Sequence, residues 1–501
     1  MALGLVRTAL ALAFIVAPAA AQPPQPADVG TWSVFDGTST YTRDERVAGH
    51  GALTVKAPAT PGEEWAVAAT MLIPGALSRG QPFTAVFWAR AARPITTSVT
   101  LQAAAAPYAI VATSAVDLTP QWHQYAVTAT PRQDLAAGSQ NFVVRLGKAT
   151  ADVTLGPVLF APGAVDPSQV RTAFAHFRPA QNVEDVHVPT DPGVVLAGRL
   201  RLPGRHARGP VPVVLLIAGS GRSGRGVFPL LEQRLLAAGI ATFDYDKRGV
   251  GESTGTYEDT IEQVERDATA VVAYLRTRPE LLPHRVAILG LSQGGVVSPA
   301  VGAADPDIAA VVMLAGIVAP RQALVFDQME HQLLVAGIGK QAAGRMVAAT
   351  RALLEAKDSN QPTATVAAAR QALADALAAG GLSPDDVKAG LANIDSPVVL
   401  SGYRQDLVGT LAKVRAPVLA LYAEKDDLVP TASSMAAARA ALRANPDATV
   451  IEIPHTNHGF QLPGGVKDGK QEWTGGVASA PGVADMICRW IEVRLYNHKR
   501  R

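Results

Sequence analysis

The 501-residue chain contains a single cysteine, Cys488, and carries almost no net charge. One thiol excludes a disulfide framework and any thiolate-rich metal site. Lys and Arg number 45 against 43 Asp and Glu, so there is no basic field to hold nucleic acid and no acidic tail to hold a basic partner. The apolar share of 48%, with charge scattered along the chain, excludes a mainly disordered protein.

Long apolar runs are also missing. The run at residues 8–17 is too short to span roughly 30 Å of hydrocarbon. It follows Arg7 and precedes the small residues Ala19–Ala21, which is the pattern of a secretory signal peptide. We therefore expect residues 1–21 to be a signal peptide and the protein to be exported, periplasmic or secreted, with no membrane span.

The remaining sequence divides into regions with different hydrophobic patterns. Residues 28–162 consist of short apolar runs between Gly, Pro, Asn and Asp, with no competing helical period, which predicts a β-sandwich. Residues 163–182 are predicted to be a linker. In residues 183–501, short continuous apolar runs alternate with amphipathic stretches, as is typical of parallel strands buried on both faces and the helices that cover them. This part predicts an α/β domain.

One stretch interrupts the alternation. Residues 320–412 are rich in Ala, Leu, Gln and Arg and contain no strand signal. A loop of that length without secondary structure is uncommon in a compact domain. We expect a helical insertion that lies as a cap over one end of the sheet.

The strongest local motif lies at residues 290–294, which are Gly-Leu-Ser-Gln-Gly. It follows the predicted strand 286–289 and precedes a helical pattern. A G-x-S-x-G motif in that context places the serine on a tight turn with its hydroxyl exposed, so Ser292 is the candidate nucleophile. The alternative is a glycine-rich turn with an ordinary serine, and the strand–turn–helix context disfavours it.

A nucleophilic serine needs a base, and the base needs a carboxylate that orients it. Asp426 and His458 each follow a predicted strand, and functional groups in such sheets gather at the carboxyl ends of strands. They are the candidate acid and base. Asp427 and His455 are lesser rivals for the same two roles.

Acyl transfer also needs donors for the oxyanion. One is expected to be the backbone N–H of Gln293, which follows the nucleophile. The second is expected in the loop after the predicted strand 213–217, with the N–H of Ser220 the better candidate. The site is expected to hold no cofactor and no metal.

The same loop permits a different interpretation. Residues 219–224 form a literal G-x-G-x-x-G, and Asp244 lies twenty residues after its last glycine. This is the spacing of a dinucleotide-binding fingerprint. A dinucleotide-dependent oxidoreductase would leave Ser292, Asp426 and His458 without a role, so we regard it as the weaker hypothesis.

Residues 183–501 resemble the α/β-hydrolase superfamily, and within it the serine esterases of exported bacterial type. Besides the motifs above, the resemblance is carried by residues 196–203, by residues 245–253 and by the Asp-x-x-Val-Pro sequence that starts at Asp426. The resemblance implies an α/β-hydrolase fold.

The resemblance also implies roles for single residues. Ser292 would be the nucleophile, Asp426 the acid and His458 the base. The chain departs from the family pattern at Ala218, where the family usually has His, and at Ala423, where it often has Gly. The first departure concerns the oxyanion donors and not the triad.

The N-terminal region resembles, more loosely, the jelly-roll carbohydrate-binding modules. The resemblance is carried by two stretches, residues 83–90 and 119–125. Trp88 and Trp122 lie in alternating strand patterns, which predicts that they pack in the core. Trp65 and Tyr108 are therefore the better candidates for a sugar-binding face.

The predicted function is hydrolysis of carboxylic esters through an acyl-enzyme, on a small-molecule or glycan-linked ester. A serine peptidase or an acyltransferase would use the same triad, and a double glycine such as Gly294-Gly295 is frequent in peptidases. A non-enzymatic glycan-binding protein would require the triad to be accidental.

Overall fold

The structure is a computed structural model that describes residues 26–73, 75–104, 108–136, 138–175, 177, 181–204, 209–467 and 470–496. The predicted signal peptide lies outside the described residues. The chain divides into two compact units, one of residues up to 39 with 44–177, and one of residues 40–43 with those from 178 onward. Among the described residues, no helix is both long and apolar enough to cross a membrane.

The first unit contains antiparallel sheets. The strands of residues 26–162 are β1 (Ser33–Phe35), β2 (Ser39–Arg43), β3 (Gly51–Val55), β4 (Ala68–Ile73), β5 (Phe83–Ala91), β6 (Ile95–Ala103), β7 (Ile110–Leu118), β8 (His123–Ala129), β9 (Gln140–Arg145) and β10 (Val153–Pro162). The described strands form two sheets, in the orders β1-β4-β9-β6-β7 and β2-β3-β10-β5-β8. Phe87 from one sheet meets Phe142 from the other, with ring centroids 5.2 Å apart. The all-β prediction for this region is confirmed.

The segment predicted as a linker contains a helix, α1 (Pro167–Ala175). Val170 and Phe174 lie one helical turn apart, and both are buried. Phe174 packs edge-on against Trp88 of β5, at 6.1 Å between ring centroids. The linker prediction is therefore wrong for residues 167–175, because two apolar side chains at helical spacing are enough to fix a short helix on the sandwich.

The second unit alternates strands and helices. Up to the nucleophile region its elements are β11 (Gln181–Pro189), β12 (Val195–Pro203), β13 (Val211–Ile217), α2 (Pro229–Ala237), β14 (Ala241–Tyr245), α3 (Ile261–Thr277), β15 (Leu281–Leu291), α4 (Gln293–Ala304) and β16 (Ala310–Leu314). After the predicted insertion they are β17 (Val418–Ala423), α11 (Thr431–Ala441), β18 (Ala448–Ile453), β19 (Leu462–Lys467), β20 (Lys470–Thr474) and α12 (Val483–Tyr496). The antiparallel hairpin of β19 and β20 was not predicted.

The described strands of the main sheet take the order β11-β12-β14-β13-β15-β16-β17-β18. β11, β12 and β14 pair antiparallel, and from β14 to β18 every pair is parallel. Both faces are covered: Val213 and Leu215 of β13 belong to one buried core cluster, and Val214 and Leu216 belong to another. This burial explains the continuous apolar runs of the sequence.

Between β16 and β17 the chain forms the predicted helical insertion. Its helices are α5 (Ala323–Val335), α6 (Lys340–Asp358), α7 (Thr363–Ala379), α8 (Pro384–Ile394), α9 (Pro397–Arg404) and α10 (Leu407–Ala412). They pack through buried side chains such as Met346, Leu353 and Leu377, which join the core cluster of the sheet. The α/β domain with a helical insertion is thus present as predicted from the sequence.

Candidate active site

The turn between β15 and α4 holds Ser292 in a strained conformation, with φ 56° and ψ −114°. The glycines around it are required by close backbone approach. A Cβ on Gly290 would lie 2.0 Å from the carbonyl oxygen of Gly294, and a Cβ on Gly294 would lie 2.2 Å from that of Ile217. The local sequence therefore dictates a tight turn that presents Ser292 at the carboxyl end of β15.

The structure brings the predicted acid and base together. Nδ1 of His458 lies 2.8 Å from Oδ2 and 3.0 Å from Oδ1 of Asp426. Oδ1 of Asp426 also accepts the backbone N–H groups of Leu428 and Val429, each at 2.9 Å. Because a carboxylate only accepts, Nδ1 carries the ring proton and Nε2 is left to accept another.

The two rivals are placed elsewhere. Asp427 is exposed to solvent. The side chain of His455 is 76% exposed, and its ring lies 3.4 Å from Glu424. Among the described residues, the carboxylate that pairs with His458 is Asp426 and not Asp427, and His455 pairs with Glu424 at the exposed surface.

Ser292, Asp426 and His458 follow β15, β17 and β18, which run parallel, so all three lie at the carboxyl edge of the sheet. In the part of the chain that the structure describes, no hydrogen bond joins the Ser292 hydroxyl to the His458 ring. In free enzymes this contact is often longer than a hydrogen bond and tightens with substrate.

The loop after β13 passes next to the nucleophile. A Cβ on Gly219 would lie 3.2 Å from Cβ of Ser292, a tight contact that would require one of the two segments to shift by a few tenths of an ångström. Among the described residues, the N–H groups of Ser220 and Gln293 donate to no other group. The N–H of Gly221 is already donated to Oδ2 of Asp259, at 2.7 Å. Both expected oxyanion donors are thus available next to Ser292.

A buried cation beneath this loop was missed by the sequence analysis. Nζ of Lys247 donates to the carbonyl oxygen of Gly219 at 2.6 Å, to Oδ1 of Asp259 at 2.6 Å and to Oε1 of Gln293 at 2.7 Å. Burial lowers the pKa of Lys247, against the opposing effect of Asp259. The sequence does contain a signal for it, the lysine within residues 245–253, but that stretch was used only as evidence of the family resemblance.

Asp244 does not serve a nucleotide. It is buried and pairs with Arg201, with Nη1 2.9 Å from Oδ1, and it also accepts the backbone N–H of Gly226. Helix α2 begins at Pro229, five residues after the glycine motif ends at Gly224, and not directly behind it. A dinucleotide site needs a free acidic residue and a helix that begins directly after the glycine motif. Here the acidic residue is paired with an arginine and the helix begins later, so the geometry does not support the dinucleotide hypothesis.

A cavity of about 480 Å³ opens beside Ser292, beneath the helical insertion. Ser220, Ser292 and Gln293 line it at the sheet. Its other walls are mostly apolar and include Ile261, Val296, Leu324, Val325, Met329, Leu333, Leu373, Leu377, Leu382, Ile394, Val398, Val399 and Val429. None of the described residues that line the cavity is charged.

Helix α5 connects the insertion to the loop that carries the acid. Nε2 of His331 lies 2.9 Å from the carbonyl oxygen of Asp426, to which it donates. The side-chain amides of Gln328 and Gln332 both donate to the carbonyl oxygen of Leu428, at 3.2 Å. The insertion is therefore fixed to the catalytic edge by hydrogen bonds as well as by apolar packing.

The two tryptophans that were predicted to pack in the core, Trp88 and Trp122, differ in how far they do so. Trp88 and Trp122 are only half-buried, and both line a shallow groove of about 630 Å³. Nε1 of Trp122 donates to Asp44 at 2.9 Å. Trp88 still packs against a buried cluster that includes Val170 and Phe174, so the prediction of core packing holds in part for Trp88, while Trp122 is half-buried beside Asp44. Trp65 and Tyr108 are exposed, as expected.

Residues 209–462, more than half of the chain, match the family model described as serine aminopeptidase, S33 (Hydrolase_4). The chain belongs to this family. The match contains Ser292, Asp426 and His458, and it confirms the α/β-hydrolase fold and a hydrolase function for this S33 family member. No curated protein matches the chain.

Solved structures also resemble this S33 family member, at low identity. An esterase of Pyrococcus furiosus, Pf2001, is 14% identical over 67% of this chain and 95% of its own, with a TM-score of 0.41. Est1E from Butyrivibrio proteoclasticus, solved with ferulic acid bound, is 18% identical over 61% of this chain and 96% of its own, with a TM-score of 0.37.

Proposed function

We propose that this S33 family member is a serine esterase that cleaves carboxylic esters of uncharged, apolar acyl groups. The observation that carries the proposal is the position of Ser292, on a strained turn at the wall of an uncharged cavity and at the same sheet edge as the hydrogen-bonded pair of Asp426 and His458.

The proposed reaction has two halves. Oγ of Ser292 attacks the ester carbonyl carbon while Nε2 of His458 takes its proton, and the N–H groups of Ser220 and Gln293 stabilise the oxyanion. As the carbon–oxygen ester bond breaks, His458 returns the proton to the leaving alcohol and the acyl group stays on Ser292. Water then attacks the acyl-enzyme, with His458 again taking and returning one proton, and Asp426 stabilises the imidazolium in both halves.

The cavity favours an ester over the substrate of an aminopeptidase. An aminopeptidase binds a free α-ammonium, and burying that cation without a carboxylate costs several kcal/mol. None of the described cavity-lining residues offers a negative charge, and the polar ones on the insertion side are the amides Gln328, Gln332 and Asn393. An apolar acyl group, by contrast, gains about 0.8 kcal/mol for each methylene that it buries.

The direct test compares p-nitrophenyl esters with aminoacyl p-nitroanilides, using the full chain and its Ser292→Ala variant. We expect ester hydrolysis and labelling by a fluorophosphonate in the wild type, and a loss of about 10⁶-fold in kcat without labelling in the variant. Faster turnover of the aminoacyl amides than of the esters would replace the esterase with a peptidase. Near wild-type esterase activity in Ser292→Ala would refute the mechanism.

We further propose that the protein is exported and that the first unit binds sugar, which would make the substrate a glycan-linked ester. The signal-peptide pattern at residues 1–21 and the groove beside Trp88 and Trp122 support this. Affinity electrophoresis of the full chain in soluble plant polysaccharides tests the second part. Retardation that is lost in Trp122→Ala is expected, and retardation lost in Trp65→Ala would locate binding on the exposed face instead.

A further inference from the structure

Lys247 lies directly after β14 and is only 4% exposed. A lysine is almost never so buried unless it is paired, because removing its charge from water is costly. Its three hydrogen bonds, described above, go to Gly219, Asp259 and Gln293. Two of these three residues belong to the segments that carry the expected oxyanion donors.

The bond to Gly219 controls the direction of one donor. The carbonyl oxygen of Gly219 and the N–H of Ser220 belong to the same peptide unit. A trans peptide is planar and points its oxygen and its hydrogen in opposite directions. By holding the Gly219 oxygen on one side, Lys247 fixes the Ser220 N–H on the other side, where Ser220 lines the cavity beside Ser292.

The bond to Gln293 fixes the other donor. Oε1 of Gln293 accepts from Lys247 at 2.7 Å, and its Nε2 donates to the carbonyl oxygen of Asp259 at 2.6 Å. Both polar atoms of this buried amide are therefore satisfied, and the side chain of the residue that carries the second N–H is held between Lys247 and Asp259. One ammonium group thus contacts both halves of the expected oxyanion hole.

Asp259 completes the network from the far side of the loop. Oδ2 accepts the N–H of Gly221 at 2.7 Å, which removes that group from the set of candidate donors and anchors the loop after Ser220. Asp259 has φ 58°, a left-handed conformation that a non-glycine residue adopts at a cost of about 1 kcal/mol or more. The side chain of Gln263 accepts the Asp259 N–H at 3.2 Å and helps to keep it there.

The charge of Lys247 also has a chemical consequence. Hydrogen bonds in series polarise one another in a low-dielectric interior. A cation bound to the Gly219 carbonyl withdraws electron density from that peptide and makes the Ser220 N–H a stronger donor. Preorganised donors of this kind stabilise the developing oxyanion without reorganisation during the reaction.

We propose that Lys247 is a positioning residue of the oxyanion hole: with Asp259 as its counter-ion, it orients the Ser220 peptide and the Gln293 residue so that both N–H groups converge beside Ser292. The proposal rests on the proposed esterase function of that site. Lys247 acts through the two donors and does not touch the substrate.

The test compares Lys247→Met, Lys247→Arg and Asp259→Asn in the full chain, with p-nitrophenyl butyrate as substrate and a trifluoromethyl ketone as tetrahedral analogue. For Lys247→Met we expect kcat to fall about 10²- to 10³-fold, the loss typical of one oxyanion donor, with KM changed less than about threefold. The inhibition constant of the ketone should rise in proportion to the loss in kcat. Lys247→Arg keeps the charge and should recover part of both losses.

The chain supplies a matched control in the next residue. Arg248 is also buried and also pairs with an aspartate, Asp267, but it contacts neither donor segment. Arg248→Met should lower the melting temperature and leave both kcat and the inhibition constant of the ketone unchanged. If Lys247→Met does not fold, Asp259→Asn carries the test, with an expected kcat loss of about tenfold and an unchanged KM.

The outcomes separate this inference from the esterase proposal. Full activity in Ser292→Ala would refute the esterase mechanism itself. An inactive Ser292→Ala together with wild-type kcat and ketone affinity in a folded Lys247 or Asp259 variant would overturn the positioning role alone. A fall in stability without a proportional change in kcat and ketone affinity would also overturn it, because that result describes a merely structural ion pair.

Discussion

The catalytic edge of the sheet and the helical insertion lie on opposite sides of the same cavity and are built from different kinds of side chain. At the edge, charged groups are buried and closely paired: Lys247 with Asp259 at 2.6 Å, and His458 with Asp426 at 2.8 Å. On the insertion side, the cavity is lined by residues such as Met329, Leu333, Leu373, Leu377 and Leu382, with a few neutral amides.

The difference reflects what each region has to do. Hydrogen bonds are directional and lose their value within a few tenths of an ångström or some tens of degrees, so groups that perform chemistry need partners that fix them. Apolar contact depends on volume and shape and tolerates substitution of similar size. We therefore expect changes at the edge to be large for every substrate, and changes in the insertion to be smaller and to depend on the acyl group.

The largest effect is expected at the acid–base pair. His458→Ala should lower kcat about 10⁶-fold, and Asp426→Asn about 10⁴-fold, because the asparagine leaves serine and imidazole in place but no longer holds the tautomer. Initial rates on p-nitrophenyl acetate and on p-nitrophenyl octanoate should fall by the same factor. His455→Ala and Asp427→Asn are the matched controls, and a comparable loss in either would assign the triad to the exposed rivals.

An intermediate effect is expected at Gly390, which lies in α8 and lines the cavity. A Cβ there would meet Cδ1 of Leu377 at 3.4 Å, an ordinary contact, so a larger side chain fits the helix and projects toward the cavity. If the new side chain in Gly390→Leu displaces three methylenes of an acyl chain, octanoyl ester kcat/KM should fall about 50-fold, at roughly 0.8 kcal/mol for each methylene.

Acetyl ester kcat/KM should change less than about threefold in Gly390→Leu, and Gly390→Ala should behave like the wild type on both esters, while gaining about 0.5–1 kcal/mol of helix stability. An equal loss on acetyl and octanoyl esters would mean that the insertion participates in the chemistry, and the contrast between the two regions would then fail.

The sequence predicted those parts of the molecule that depend on local signals. The strand, turn and helix around Ser292 follow from glycines that close backbone approach requires. Asp426 and His458 were found because parallel strands end at one edge, a rule that needs no side-chain coordinates. The sequence left the choice between Asp426 and Asp427 open, and the two carboxylates differ in the structure: Asp426 contacts His458, and Asp427 faces solvent.

The parts that were missed depend on distant partners. The three acceptors of Lys247 lie 28, 12 and 46 residues away in the chain, and no periodicity connects them. The helix α1 was missed because its apolar side consists of Val170 and Phe174 alone, too few for a periodic signal. The groove beside Trp88 was missed for a related reason: strand alternation cannot show that a helix covers one part of a face and leaves another part open.

The smallest effect is expected at another buried charge cluster in the same unit, away from the cavity-lining residues. Arg201 lies 2.9 Å from Asp244 and 3.3 Å from Glu232. Burial, together with the nearby Asp244, raises the pKa of Glu232 to about 7 from an ordinary value near 4.5. Among the described residues, this cluster does not contact the expected oxyanion donors. Changing it therefore tests whether a buried charge affects activity only when it contacts the loop after β13.

Because Glu232 keeps its proton in the folded state over a range where the unfolded chain has lost it, the free energy of unfolding should fall as the pH rises from about 4.5 to about 7. Glu232→Gln removes this pH-dependent contribution to stability. The free energy of unfolding of the variant minus that of the wild type should therefore be higher at pH 8 than at pH 5, by on the order of 1–3 kcal/mol. Urea unfolding at pH 5, 6, 7 and 8 measures the difference, with the exposed Glu492→Gln as control.

Esterase kcat of Glu232→Gln should stay within about twofold of wild type, since Glu232 contacts neither donor segment. A loss of kcat in Glu232→Gln would show that buried charge outside the catalytic edge also affects activity. If the pH dependence of unfolding is the same in the variant and the wild type, the group that titrates is not Glu232.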